Sequence, residues 1–206
     1  MPNWCETDLY IRGKNVAQVL ATIAGKDGGK ETAFDFNKVI PMPPELSVVS
    51  GGETDLALLC FKGGGVGKFA DYPWVKQKGF STPEQICTFW KKDFNAMVRL
   101  GAQIQDNLTK YKAATWYEWC IREWGTKWNA SDAVAKINKN GSAKISFQTA
   151  WAPPVPVLTA LSHMFPENTF TAKYYEQGMQ FQGVLELKNG EVVKDEEKKY
   201  TGHRGG

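Results

Sequence analysis

The order of periodic segments predicts an α+β fold, an antiparallel sheet with helices on one face and a long inserted segment. Three observations carry that prediction. Residues 3–12, NWCETDLYIR, alternate in the manner of a half-buried strand. Residues 14–24, KNVAQVLATIA, switch to helical spacing. The second half of the chain reads as two strand pairs separated by a short helix, so helices interrupt hairpins instead of alternating strictly with strands.

In the first strand Cys5, Thr7, Leu9 and Ile11 point one way, and Trp4, Glu6, Asp8, Tyr10 and Arg12 the other. The helix that follows carries Val16, Val19, Leu20 and Ile23 on one face, and Gly25 closes it. FDFNKVI (34–40) reads as a second strand ended by Pro41, Pro43 and Pro44. From Ser47 to Ser81 seven glycines and weak periodicity predict a long loop, with one short strand at DLALLCF. Thr82-Pro83-Glu84 supplies an N-cap, a first-turn proline and an early acid. The helix it opens carries Ile86, Phe89, Trp90, Met97 and Leu100 on one face, with Asp93 near the middle of that stripe. A buried carboxylate there would need a donor, because an unpaired one is costly.

Residues 116–129, WYEWCIREWGTKWN, hold four tryptophans in fourteen positions. On a helical wheel Ala113, Trp116, Tyr117, Cys120 and Trp124 share one side, with Glu118 and Arg122 opposite. Trp119 falls about a third of a turn outside that stripe. Gly125 is a natural stop. Strands follow in DAVAKIN and AKISFQTAW, joined at Asn140-Gly141. Pro153, Pro154 and Pro156 open a helix bearing Val155, Leu158, Leu161 and Phe165. TFTAKYYE and MQFQGVLEL give two more strands, and Asn189-Gly190 turns into KDEEKKYTGHRGG. A split-βαβ, ferredoxin-like arrangement fits this order best. The domain spans 1–187 with an insertion at about 47–108, and 188–206 is a charged, glycine-rich tail expected to be solvated and poorly ordered.

A net charge of +3 on 206 residues is too small to imply a polyanion partner by itself. Cys5, Cys60, Cys87 and Cys120 are scattered, with no CxxC and no histidine at ligand spacing. That argues against a zinc or iron–sulfur site and suits a reducing cytoplasm, so no metal and no cofactor are expected. No signal peptide and no membrane-spanning apolar run are visible, which predicts a cytoplasmic protein.

Catalytic signals are thin. FKGGGVGKF (61–69) is not a phosphate loop, because Lys62 stands where the first glycine belongs and Phe69 where Ser or Thr would hold magnesium. The only histidines are His163, off the apolar stripe of its helix, and His203 in the tail, and no GxSxG marks a nucleophile. Glu6 and Asp8 share the outer face of the first strand and read as solvated charge.

Two binding modes remain. Trp4, Tyr10 and Tyr175 could stack single-stranded bases, with Lys62, Lys68, Lys76 and Lys78 supplying charge, but Glu6 and Asp8 would repel phosphates on that face. The tryptophans suggest a protein interface instead. Trp116 and Trp124 read as core, whereas Trp119 and Trp128 sit beside charges as interface anchors do, and Trp74 lies in the mobile stretch DYPWVKQKGF.

Four ordered blocks, MPNWCETDLYIRG, WGTKWNA (124–130), FQTAWAPPVPVLTALS (147–162) and YYEQGMQFQG (174–183), resemble the YubB-like family of phage and plasmid proteins. The resemblance runs from Met1 to about Leu187, with Thr7 standing where the family often has Asn. It implies a ferredoxin-like topology without a cluster, and it brings no catalytic site to carry over. It also implies life on a mobile element, where small non-enzymatic products often disable host machinery. The expectation is a non-enzymatic protein-binding module in a bacterial cytoplasm, inhibiting a host or anti-phage defence complex, for example CRISPR. Its expected contacts are Trp74, Lys76, Lys78, Trp119, Lys127 and Trp128. A single-stranded nucleic-acid-binding protein is the alternative.

Overall fold

The computed structural model describes residues 3–202. In chain order it contains β1 (Trp4–Arg12), α1 (Val16–Ile23), a short ribbon of β2 (Gly25–Asp27) and β3 (Lys30–Thr32), then α2 (Gly52–Lys62), α3 (Pro73–Lys78), α4 (Pro83–Phe89), α5 (Phe94–Tyr111) and α6 (Trp116–Trp124). β4 (Ser131–Ile137), β5 (Ala143–Ala150), α7 (Val155–Met164), β6 (Thr169–Glu176), β7 (Phe181–Lys188) and β8 (Glu191–Lys199) follow. The chain divides into two compact units, Met1–Pro41 with Cys120–Gly206, and Met42–Trp119. The second unit is wider than the expected insertion.

The first unit is an antiparallel six-stranded sheet in the order β4-β5-β1-β6-β7-β8. β1 lies between two strands from the far half of the chain, with Thr7 opposite both Phe147 and Tyr174. That central placement, with hairpin β4-β5 on one side and β6 on the other, is the split-βαβ arrangement of a ferredoxin-like domain, and β7 and β8 extend it. Alternation along the strands sorts side chains as expected. Cys5, Leu9, Ile11, Ile145, Phe147, Phe170, Leu185 and Leu187 are buried together with Val16, Val19 and Ile23 of α1 and Val157, Leu158 and Leu161 of α7. Gly183 is required where the Tyr174 ring crosses β7, since a Cβ there would meet Cζ at 2.5 Å. Burial, with Glu197 and Asp195 nearby, pushes the Tyr174 phenol up to about 12.

Several expectations are corrected. FDFNKVI is not a strand. Phe36–Lys38 form a 3₁₀ turn, because the Asp35 carboxylate accepts from the Asn37 backbone at 3.0 Å and diverts the chain from a ladder. Asn129 ties this turn down, donating to Asp35 at 2.8 Å and accepting from the Phe36 N–H at 2.8 Å. Phe34, Phe36, Phe147 and Trp124 then meet edge to face. The charged end is no disordered tail up to Lys199. Asn189 (φ 51°) and Gly190 (φ 78°) make a tight turn, and β8 pairs along β7 as an exposed edge strand. It showed no periodicity because neither of its faces is buried. His203 lies outside the described residues.

In the second unit the expected strand DLALLCF is helical, as α2. Thr54, Leu56, Ala57 and Cys60 are buried at helical spacing, and a short apolar run does not by itself distinguish helix from strand. α2 packs on α5 through Gly101, whose position a Cβ could not share with the Ala57 carbonyl. The single helix expected from residue 82 is two. Thr82 and Gln85 form a capping box for α4, Lys91 takes φ 56°, and Asp93 starts α5 anew. Asp93 is therefore not a buried acid in a stripe but an exposed N-cap, accepting from the Ala96 N–H at 2.6 Å. Cys60 and Cys87 lie 3.5 Å apart inside this unit. Among the described residues no helix is long and apolar enough to cross a membrane.

Candidate interaction site

Pro73 at the first position starts α3, and Gly79 in the left-handed region (φ 65°) stops it. The helix is only six residues long, so its side chains are held by packing more than by helix propensity. Val75 points into the core of its unit, while Trp74 lies half-buried at the surface. Tyr72 stacks on Trp74 at 6.1 Å and 23°, and Phe89 of α4 stacks on it at 5.3 Å and 24°. Phe80 closes edge-on against both Trp74 and Phe89. Lys78 Nζ stands 4.8 Å over the Phe89 ring. Tyr72 and Phe89 are nevertheless 48% and 44% exposed. Lys68 and Lys92 of this unit are spent on Asp55 and Glu53. Lys76 and Lys78 have no carboxylate partner among the described residues.

The structure thus joins Trp74 and Lys78 through Phe89, and leaves Lys76 as an exposed charge on the same short helix. Tyr72 and Phe89 were missed. Phe89 follows the helical spacing of Ile86, which read as core, and only the early end of α4 exposes it.

The tryptophan-rich segment needs two corrections, at Trp119 and at Trp116, which is half-buried where core was expected. Trp119 is 6% exposed and belongs to the core, not to a surface. The wheel assigns faces from spacing within the helix alone and does not see the remote surfaces that bury this ring; at the start of α6 Glu118 accepts from the Thr115 N–H at 3.0 Å and hydroxyl at 2.6 Å. Trp116 is half-buried and packs edge-on to Tyr117. Trp124 is core as expected, and its indole N–H donates to the Ile40 carbonyl at 2.9 Å. Trp128 is 37% exposed, 6.0 Å from Trp4, with Lys127 Nζ 4.4 Å over its ring. Lys127 also lies 5.9 Å from the ring of Trp151, which holds φ 71°. Lys127 and Trp128 therefore form a second aromatic–cation cluster, on the first unit, with Trp4, read above for base stacking, and Trp151, which the sequence did not nominate.

The open sheet face, where bases would stack, is mixed in charge. Asp8 accepts from Lys144 at 2.7 Å and from Ser146 at 2.6 Å. Tyr175 is already stacked on Tyr200 at 5.4 Å and 10°.

Residues 109–204 match the family model described as a ferredoxin-like domain in Api92-like protein. Three of the four blocks quoted above, WGTKWNA, FQTAWAPPVPVLTALS and YYEQGMQFQG, lie inside the matched stretch. Among solved structures, the chain is similar to the crystal structure of protein Api92 from Yersinia pseudotuberculosis, at 11% identity over 98% of this chain and 99% of that one, with a TM-score of 0.46. No curated protein matches the sequence.

Proposed function

We propose that this chain is a non-enzymatic protein-binding module that docks through the Tyr72–Trp74–Phe89 stack on an acidic surface of another protein. The observation that carries the reading is an exposed, internally ordered aromatic stack beside two lysines that no carboxylate neutralises among the described residues. Aromatic anchors held rigid before binding lose little entropy on docking, and uncompensated cations favour an acidic partner. Base stacking is the weaker reading for this patch, because Trp74 already has a near-parallel ring in both Tyr72 and Phe89. From the resemblance to YubB-like proteins of phages and plasmids we take the partner to be part of a host or anti-phage defence complex, such as CRISPR, in a bacterial cytoplasm.

The test is capture of partners from bacterial lysate, with and without nuclease, by the full chain and by a Phe89→Ala/Lys78→Glu variant whose circular dichroism matches the parent. A stoichiometric protein that survives nuclease and is lost with the variant supports the reading. Capture that disappears with nuclease moves the function to nucleic acid. A partner retained equally by the variant refutes the docking surface.

A further inference from the structure

The open face of the sheet in the first unit holds a half-enclosed polar cavity of about 180 Å³, lined by Glu6, Asp8, Asp132, Ser146, Lys173 and Tyr175 among others. That is smaller than the ~300–1,000 Å³ of drug-sized ligand pockets, so an occupant must be small. Its charges are arranged unevenly for a reason visible in the ladder. Asp8 stands opposite both Ser146 and Lys173, on the two strands flanking β1. Both of its oxygens are engaged on the β5 side, one by the Ser146 hydroxyl and the other by the Lys144 ammonium. Lys173, on the β6 side, is left half-buried with no hydrogen-bond or ion-pair partner among the described residues. Among the described residues Lys173 is the one cation in the lining, with Glu6, Asp8 and Asp132 as its acids, so the cavity disfavours a simple anion and suits a ligand that carries an ammonium beside its carboxylate.

The opposite wall carries the complementary group. The β4 register is broken between Ser131 and Val134, and Asp132, within that break, adopts φ 52°. A bulge re-aims side chains, and a non-glycine residue in the left-handed region costs free energy that the surrounding fold must supply. Asp132 is exposed and lines the rim of the cavity, and Ser131 Oγ donates to its carboxylate at 3.4 Å. The backbones of β4 and β6 are three strand spacings apart, about 14 Å, and a lysine and an aspartate reaching inward leave room between their heads for one short molecule. Tyr175, fixed by its stack on Tyr200, forms a rigid side wall.

We infer that this cavity binds a small zwitterion of the α-amino-acid class, its carboxylate on Lys173 and its ammonium on Asp132. The site is on different residues from the aromatic stack, and its presence does not depend on the docking reading.

The experiment is a titration of the isotope-labelled full chain, followed through its backbone amide resonances, with a panel of free amino acids and two half-probes, propionate and ethylamine. Saturable shifts are expected at residues 6–8, 146–148 and 173–175 with at least one amino acid, and both half-probes should bind at least about tenfold more weakly, because each forfeits a charge-assisted contact. Lys173→Met and Asp132→Asn should each weaken the amino acid by a similar factor, while Lys173→Arg keeps most of the affinity. No saturable shift with any amino acid overturns the inference. So does propionate or ethylamine binding as well as the best amino acid, or full affinity in a Lys173→Met protein whose amide spectrum is otherwise unchanged.

Discussion

Gly101→Ala sets two effects of opposite sign against each other. Alanine is the better helix former by about 1 kcal/mol in a helix interior, so propensity alone predicts stabilisation. The added Cβ, however, would overlap the Ala57 carbonyl oxygen and stand 2.6 Å from Phe61 Cβ and 2.7 Å from the Ala57 carbonyl carbon. Carbon atoms pack comfortably at about 3.5–4.0 Å, so α5 must retreat from α2 by roughly 1 Å. The obstacle is backbone, which no rotamer change can move. Retreat loosens the contacts of Leu56, Ala57, Cys60, Met97 and Ile104, all buried in this unit. Overpacking costs typically ~1–3 kcal/mol, and a backbone obstacle belongs at the upper end. Less the propensity gain, about 2 kcal/mol of net destabilisation is expected. Native-state hydrogen exchange reads it directly: protection of the central amides of α2 and α5 should fall by roughly 30-fold. Arg99→Ala, exposed on the same helix, should change it within about 0.5 kcal/mol. Unchanged or increased protection in Gly101→Ala would refute the packing argument.

Asp93→Ala should cost about 1 kcal/mol and Asp93→Asn much less, read as fraying of the first turn of α5 by amide exchange. Trp119→Ala should cost ~3–5 kcal/mol in urea unfolding, whereas Trp128→Ala should lose only the ~0.5–1.5 kcal/mol of an aromatic pair while leaving the fold intact. Burial pushes the thiols of Cys5, Cys60 and Cys120 from the ordinary 9.0 up to about 12. Above pH 9 the unfolded chain releases these protons first, so the native state binds more of them and stability falls as pH rises from 9 toward 12. Melting curves from pH 8 to 11 should show this decline, and it should be shallower in Cys5→Ala.

The sheet was readable because its inner strands alternate. Cys5, Thr7, Leu9 and Ile11 announce a strand with one buried face, and Ala143, Ile145, Phe147 and Thr149 announce its neighbour. β8 was not readable, because Glu191–Lys199 has no buried face to imprint a period, and only the Asn189-Gly190 turn hinted at it. The 47–81 stretch misled through its glycines, several of which adopt positive φ at the ends of helices instead of spacing out a loop. Of the nominated contacts, Trp74, Lys78, Lys127 and Trp128 do carry exposed aromatic–cation clusters, but their neighbours Tyr72, Phe89 and Trp151 became visible only once tertiary packing brought them together, and Trp4 had been read for base stacking instead. Trp119 was misjudged because a helical wheel assigns faces from spacing alone, while the partner surfaces that bury a ring are remote in sequence.

The placement of β1 sets a timetable for folding on the ribosome. The strand is made before either of its neighbours, residues 143–150 and 169–176, and its Asp8–Lys144 contact spans 136 residues. Closing so long a loop is slow, since its entropy is lost before any contact repays it. Met42–Trp119 is by contrast one continuous stretch, and α2 meets α5 within it. That unit can finish while β1 still waits, for the roughly 3–11 s in which a ribosome adding ~5–20 residues per second reaches the end of β6. Until β5 emerges β1 has no native partner strand, and its β6 side stays open to the end of that interval. Folding factors that cover exposed strands should therefore engage the nascent chain between the emergence of α6 and that of β6.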